Sequence, residues 1–323
     1  MYKKILFSLA TVLVPFFLTV SVGAQAKYPE KPIEALVAYA GGASTDVAAR
    51  FLAEYMSKVL KQPVIIINKP GGGGAIAGNE LFKRKPDGYT IGMFNLNAYP
   101  EYCANPERYI YKPGDIIAVA QWSRQPSAIF TRYDAPWKSF QEFVDQAKQN
   151  PNKLKWGHNG RGNMWWLFGT LFLQKAGLKM LDVAFQGDGE SMAALLGNHV
   201  DASVLTCGAG SLAEIAAKKI RTLCLFSEER FELLPDVPTA KELGYPLGIP
   251  DMYVGTFVRK DTPREIISKL EEVIKMATED PEFKNRLNKM GMPARFRNSK
   301  DFQELVHSLA RIRGENLKNL GVL

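Results

Sequence analysis

The chain has 323 residues, 46% of them hydrophobic and 23% charged, with a formal net charge of +8. That composition excludes a disordered, collagen-like or disulfide-stapled chain and predicts one large or two medium globular domains. The basic residues are scattered, with no run of five or more, which argues against nucleic-acid binding and for a mildly basic surface that favours acidic small molecules.

At the N-terminus, Lys3 and Lys4 precede an apolar run from Ile5 to Val20, and Ala24-Gln25-Ala26 offers a small-x-small cleavage site. Residues 1–26 are therefore expected to be a removable signal peptide, with Pro15 arguing against a retained anchor. Its loss takes away two lysines and no acid, so +8 becomes +6. No later stretch is long and apolar enough to span a membrane.

IEALVAYA, from Ile33, is a short apolar, β-branched run and reads as a buried strand. VAARFLAEYMSKVL then places Val47, Phe51, Leu52, Tyr55, Met56, Val59 and Leu60 on one helical face. Between the two, Gly41 and Gly42 permit a tight turn, and Ser44, Thr45 and Asp46 are all good N-cap residues. A strand that turns through glycines into a helix start leaves backbone N–H groups unpaired. Together with the helix dipole they make an anion site.

Val64 to Ile67 predicts the next strand, Ala75 to Lys85 a helix stopped by Pro86-Asp87-Gly88, and Tyr89 to Phe94 a third strand. Such alternation points to a parallel sheet covered on both faces. Ile116–Ala120 and Ala128–Thr131 read as extended, separated by a polar stretch that suits a crossover, and Trp137–Gln149 as an amphipathic helix behind Ser139. The strand–glycine–helix theme then returns, with Leu154-Lys155-Trp156 before GHNGRGN and MWWLFGTLFLQKAG, and Val183-Ala184-Phe185 before QGDG and ESMAALLGN. Val200–Leu205, Ile220–Phe226 and Val254–Val258 read as strands. Thr239–Leu243, Pro263–Thr278 behind a Thr262 cap, Pro281–Met290 and Ser299–Leu317 read as helices. Trp165 and Trp166 open one helix about a hundred degrees apart, so one packs in the core while the other is free to line a cleft; the pattern leaves open which.

Motifs for chemistry are missing. Gly72, Gly74 and Gly78 follow a strand, but their spacing is G-x-G-x-x-x-G and no acid ends the following strand to hold a ribose. There is no Gly-Lys-Ser/Thr, no G-x-S-x-G elbow, and no metal-spaced cluster around His158, His199 or His307. No cofactor, metal or catalytic residue is expected. Cys103, Cys207 and Cys224 lack C-x-x-C spacing and read as buried thiols, with one disulfide left open.

Several segments, in order, resemble the tripartite tricarboxylate transporter solute receptors, the Bug or TctC-like family. YPEKPIEALVAYAGGASTDVAAR, IIINKPGGGGAIAGNELFKRKPDGYTIG, GHNGRGN, LLGNHVDASV and SEERFELLPDVPTAKELGYP match that family's patterns over nearly the whole mature chain. The resemblance implies a two-lobed type II periplasmic binding protein, each lobe a mostly parallel α/β sheet flanked by helices, with two hinge crossovers. Lobe 1 is then expected over 27–124 and 226–323, and lobe 2 over 125–225. It further implies a periplasmic monomer, not an enzyme, that captures a carboxylate, a di- or tricarboxylate or an aromatic acid, and passes it to a membrane permease of one large and one small subunit. A ligand sensor and an exported hydrolase are the rival readings.

Carried onto this sequence, the resemblance implies first-lobe contacts at Tyr39, Gly41, Gly42, Ala43, Ser44, Asp46 and Asn97. Asp46 is expected to cap its helix or organise its loop, since its charge repels an anion. Second-lobe contacts fall on His158, Asn159, Gly160, Gly162, Asn163, Trp166, Gln186 and Gly187. Asn163 stands where the family often has Ser, Trp166 where it has His, Phe185-Gln186-Gly187 where it has Tyr-Lys-Gly, and Glu190 where Pro is common. A bulkier, less cationic wall tilts the expectation toward a larger or partly apolar carboxylate.

Overall fold

The computed structural model describes residues 28–95, 106–112, 114–161, 163–248 and 251–321. The expected signal peptide, Cys103 and the candidate contacts Asn97 and Gly162 lie outside the described residues. The chain first lays down β1 (Ile33–Val37), α1 (Ser44–Leu60), β2 (Val64–Asn68), α2 (Ala75–Lys83), β3 (Thr90–Asn95) and β4 (Ile116–Gln125). After Pro126 it builds β5 (Ser127–Arg132), α3 (Phe140–Gln149), β6 (Lys155–His158), α4 (Met164–Ala176), β7 (Leu181–Ala184), α5 (Asp188–Leu196), β8 (Ala202–Thr206), α6 (Ala209–Ala216) and β9 (Ile220–Leu225). It then returns with β10 (Met252–Arg259), α7 (Arg264–Glu279), α8 (Pro281–Lys289), β11 (Ala294–Arg297) and α9 (Ser299–Asn319).

These strands form two sheets, ordered β11-β4-β10-β3-β1-β2 and β7-β6-β8-β5-β9. Each sheet is one lobe. Both are mixed rather than mostly parallel. β1 pairs in parallel with β2 and β3, but β10 runs antiparallel between β3 and β4, and β4 antiparallel to β11. In the second sheet β6 is parallel to β7 and β8, while β5 is antiparallel to β8 and β9. The antiparallel strands β5 and β10 each follow a passage between lobes, entering a sheet without the helical crossover that parallel pairing needs, and β11 adds a further antiparallel edge to the first sheet.

Both passages are pinned. Phe226 N–H donates to Ser127 O at 2.8 Å, and Cys207 N–H to Pro126 O at 2.8 Å. Beside them the buried Arg124 guanidinium reaches Asp251 at 3.0 Å and Glu232 at 2.7 Å, joining the outgoing strand to the returning segment.

The buried face of α1 is Ala48, Ala49, Leu52, Ala53, Met56 and Leu60, so alanines bring the helix close to the sheet. Of the predicted face, Val47, Phe51, Tyr55 and Val59 are only half-buried at its margin. Ser139 caps α3 by accepting from Glu142 N–H, as its sequence predicts. Two caps differ from expectation. Ala43, not Ser44, Thr45 or Asp46, is the N-cap of α1; Pro263 is the N-cap of α7, while the Thr262 hydroxyl donates back to Arg259 O at 2.7 Å.

Thr239–Leu243 is a set of turns, not a helix. Thr239 and Glu242 make the reciprocal bonds of a capping box, but Gly244 at φ 87° and Pro246 end the run after a single turn. The short α6 and β11 carry no prediction from sequence; the glycines at 208 and 210 hide the first, and four residues are too few to show a period in the second. Among the described residues no helix is long and apolar enough to cross a membrane.

Candidate ligand-binding cleft

Between the two sheets lies a cavity of about 830 Å³. The first lobe contributes Tyr39, Ala43, Ser44, Thr45, Asn95 and Gln125 to its wall. The second contributes Asn159, Trp165, the run from Gln186 to Gly189, Met192, Leu205, Thr206, the run from Gly208 to Ser211, and Glu214.

Three helices begin on this wall: α1 after Ala43, α5 after Gly187 and α6 after Gly208. None of the three has a side-chain cap. Elsewhere Ser139, Asn163, Asp280 and Asn298 each cap their helix with a side-chain oxygen. A helix start whose cap residue is Ala or Gly keeps its first N–H groups free, and the dipole adds partial positive charge there. The cavity is thus rimmed by amide donors and by hydroxyls of Ser44, Thr45 and Thr206.

The sequence candidates divide sharply on this geometry. Tyr39, Ala43, Ser44, Asn159, Gln186 and Gly187 are on the wall. Burial pushes the Tyr39 phenol pKa upward, so it stays neutral and bonded to the Asn95 side chain. Asp46 is not on the wall: it is 1% exposed and its carboxylate accepts from Gly42 N–H, Arg50 and Asn68. Burial works to raise its pKa, but those three donors hold it below the usual carboxylate value. Asp46 therefore organises the loop, and Gly42, at φ 87°, spends its N–H on it; Gly41 is likewise off the wall.

In the second lobe, His158 is fully buried, with Nε2 on Asp182 at 3.0 Å and Nδ1 accepting from Gly160 N–H at 3.2 Å. Gly160 and Asn163 are also turned inward. Asn163 accepts from Trp166 N–H through Oδ1 and donates to Asn159 through Nδ2, so the α4 start that looked like an anion site from sequence is already satisfied by its own cap. Trp165, not Trp166, lines the cavity, its Nε1 donating to Thr206 Oγ1 at 2.9 Å. Trp166 instead donates to Asp182 Oδ2 at 2.9 Å.

Asp182 is the residue that sequence reasoning missed behind this loop. It accepts from His158, Trp166 and the exposed Arg161. Burial works to raise its pKa, but the bonds from His158, Trp166 and Arg161 leave it below its ordinary value. Also missed were Thr45, Asn95, Gln125, Asp188, Thr206 and the Gly208–Ser211 start of α6. The last had a signal, since Leu205-Thr206-Cys207-Gly208-Ala209-Gly210-Ser211 repeats the strand-to-glycine-to-helix pattern of the other loops. From the first lobe, Gly291 at φ 69° sits so close beneath this loop that a Cβ there would be 2.3 Å from Cys207 O and 2.8 Å from Gly208 Cα.

Known proteins align with this arrangement. The profile described as tripartite tricarboxylate transporter family receptor matches residues 48–322. The UPF0065 protein in the gbd 5' region of Cupriavidus necator is 31% identical over 297 residues, 92% of this chain and 89% of that protein. Among solved structures, a TctC solute binding protein from Polaromonas is 28% identical, with a TM-score of 0.79, covering 90% of this chain and 99% of that one. MatC from Rhodopseudomonas palustris, solved with bound malate, is 26% identical, with a TM-score of 0.66 over 90% of this chain and 98% of that one. Sequence and fold together place this chain in the tripartite tricarboxylate transporter receptor family.

Proposed function

We propose that this protein is an extracytoplasmic solute receptor that traps a carboxylate in the interlobe cleft and delivers it to a membrane permease of one large and one small subunit. The observation that carries the reading is the meeting of three uncapped helix starts on one cavity of about 830 Å³. Backbone N–H groups at a helix start are ready donors to an anion. Each charge-assisted hydrogen bond contributes about 1.5–3 kcal/mol, so a few of them support micromolar binding after the lobes close. The malate held by MatC supports a carboxylate as the class of cargo. Residues 1–26 act as a cleaved signal peptide, and the mature receptor works as a periplasmic monomer without cofactor and without making or breaking a bond.

Calorimetric titration of the protein from residue 27 onward tests this, using aliphatic mono-, di- and tricarboxylates, amino acids and aromatic acids. Saturable binding of one subset is expected, with a matching rise in melting temperature because ligand binds only the folded state. Folded, ligand-free protein that binds none of them would overturn the reading.

A further inference from the structure

We infer that the cargo is a carboxylate that also carries a cationic nitrogen, and that Asp188 receives that nitrogen; the inference rests on the receptor reading above. Among the described residues no lysine, arginine or histidine lines the cavity, whereas two carboxylates do, Asp188 and Glu214. Glu214 is offset by Lys219 at 3.0 Å. Asp188 has no such partner among the described residues. Its oxygens accept only from neutral donors, Asn159 Nδ2 at 2.6 Å and Thr206 N–H at 3.2 Å, so its carboxylate meets the cavity wall without a cationic partner among the described residues.

The three helix starts are consequently not equivalent. The first turn of α5 carries its own anions, Asp188 and Glu190, and Glu190 already accepts Gln186 N–H at 3.0 Å. In α1 the acid of the first turn, Asp46, is buried away from the cavity. In α6 the first turn has no acid at all. An incoming carboxylate therefore finds free donors at α1 and α6, and at α5 a carboxylate that has no cationic side-chain partner among the described residues. Thr45 adds a second pointer to a ligand at the α1 end: it lies on the wall, is 3% exposed, and its hydroxyl has no partner among the described residues.

A second carboxylate of the cargo placed at Asp188 would meet like charge with no cation to separate them, while an ammonium there meets an opposite charge. Trp165 is held in place by Thr206, the same residue whose N–H fixes Asp188, so the indole shares that stretch of the wall with the cationic position. The cavity selects a zwitterion over a dianion.

The test is calorimetric titration with matched pairs differing only in the amino group, L-leucine against 4-methylpentanoate, L-phenylalanine against 3-phenylpropanoate and 4-aminobutanoate against butanoate, with succinate added to set an ammonium against a second carboxylate. In every pair that binds, the ammonium-bearing member is expected to bind at least about tenfold tighter, the size of one charge-assisted contact. Asp188→Asn is expected to shrink that ratio by a similar factor. Carboxylates that bind with no preference for the nitrogen, or an Asp188→Asn ratio equal to that of the native protein, would overturn the inference while leaving the receptor reading intact. Absence of binding by every carboxylate, in protein shown to be folded, would sink both.

Discussion

Proline at the first position of α1 removes one anion donor while sparing the helix. Ala43 already holds φ −65° and ψ 154°, the extended conformation that a residue before proline prefers, and Ser44 is the first helical residue. Proline is well tolerated there because the N–H it deletes has no intrahelical partner. Ser44→Pro thus takes from the cavity wall one N–H and one hydroxyl. Ala209→Pro removes the N–H alone at α6, where Gly208 is extended at φ −89° and ψ −178° and Ala209 is exposed. If each amide contacts the bound carboxylate, its loss costs about 1.5–3 kcal/mol, or roughly a 10- to 140-fold rise in Kd. The assay is calorimetric titration of each variant with the tightest carboxylate found for the native protein, alongside a circular-dichroism melt. Variants that melt within a few degrees of the native protein and bind within about threefold of it would refute the claim that these helix starts hold the anion.

Asp182→Ala is expected to destabilise the fold by about 2–5 kcal/mol, since it strands the buried His158 Nε2–H and the half-buried Trp166 Nε1–H, and the exposed Arg161 adds little. Urea denaturation reads that loss, and a change below about 0.5 kcal/mol would show that the network does not hold the loop. Because the Asp182 pKa is lowered on folding, its contribution is present above the unfolded carboxylate value near 3.8 and lost as pH falls through the folded one. The melting-temperature gap between native protein and Asp182→Asn should therefore be widest near neutrality and narrow below about pH 4. Gly291→Ala places a methyl against the Cys207–Gly208 backbone in a left-handed conformation. It should lower stability by about 1–3 kcal/mol and weaken carboxylate binding by shifting the α6 start, whereas native melting and affinity would show that the loop yields freely.

Much of the fold was legible because period and punctuation agree in most elements. β1 and the Ser139-capped α3 follow from apolar spacing and a cap residue alone, while α1 was legible as a helix but not in its cap or the exact face it buries. The direction of strand pairing was not legible, since β10 inserts between β3 and β4 from more than a hundred residues away. At the site, the glycine loops pointed to helix starts but not to which starts are free. Asn163 looks like a ligand contact in sequence, yet its short side chain is as well suited to capping its own helix, and the fold uses it so. Trp165 and Trp166 could be separated only once Thr206 and Asp182, each distant in sequence, were placed beside them. Overall charge misled in the same way: a net +8 chain encloses a cavity whose charged side chains, among the described residues, are both acidic.

The uncapped starts of α1, α5 and α6 have a consequence for how such a receptor changes over generations. On the function proposed above, the grip on a carboxylate is written in main-chain amides, which every residue but proline supplies equally. Point substitutions around the cleft can exchange Asp188, Trp165 or Met192 and so redraw which acids fit, while the amides that hold the acid group persist unchanged. Appetite for carboxylates is then inherited with the backbone, and taste among them drifts with the side chains.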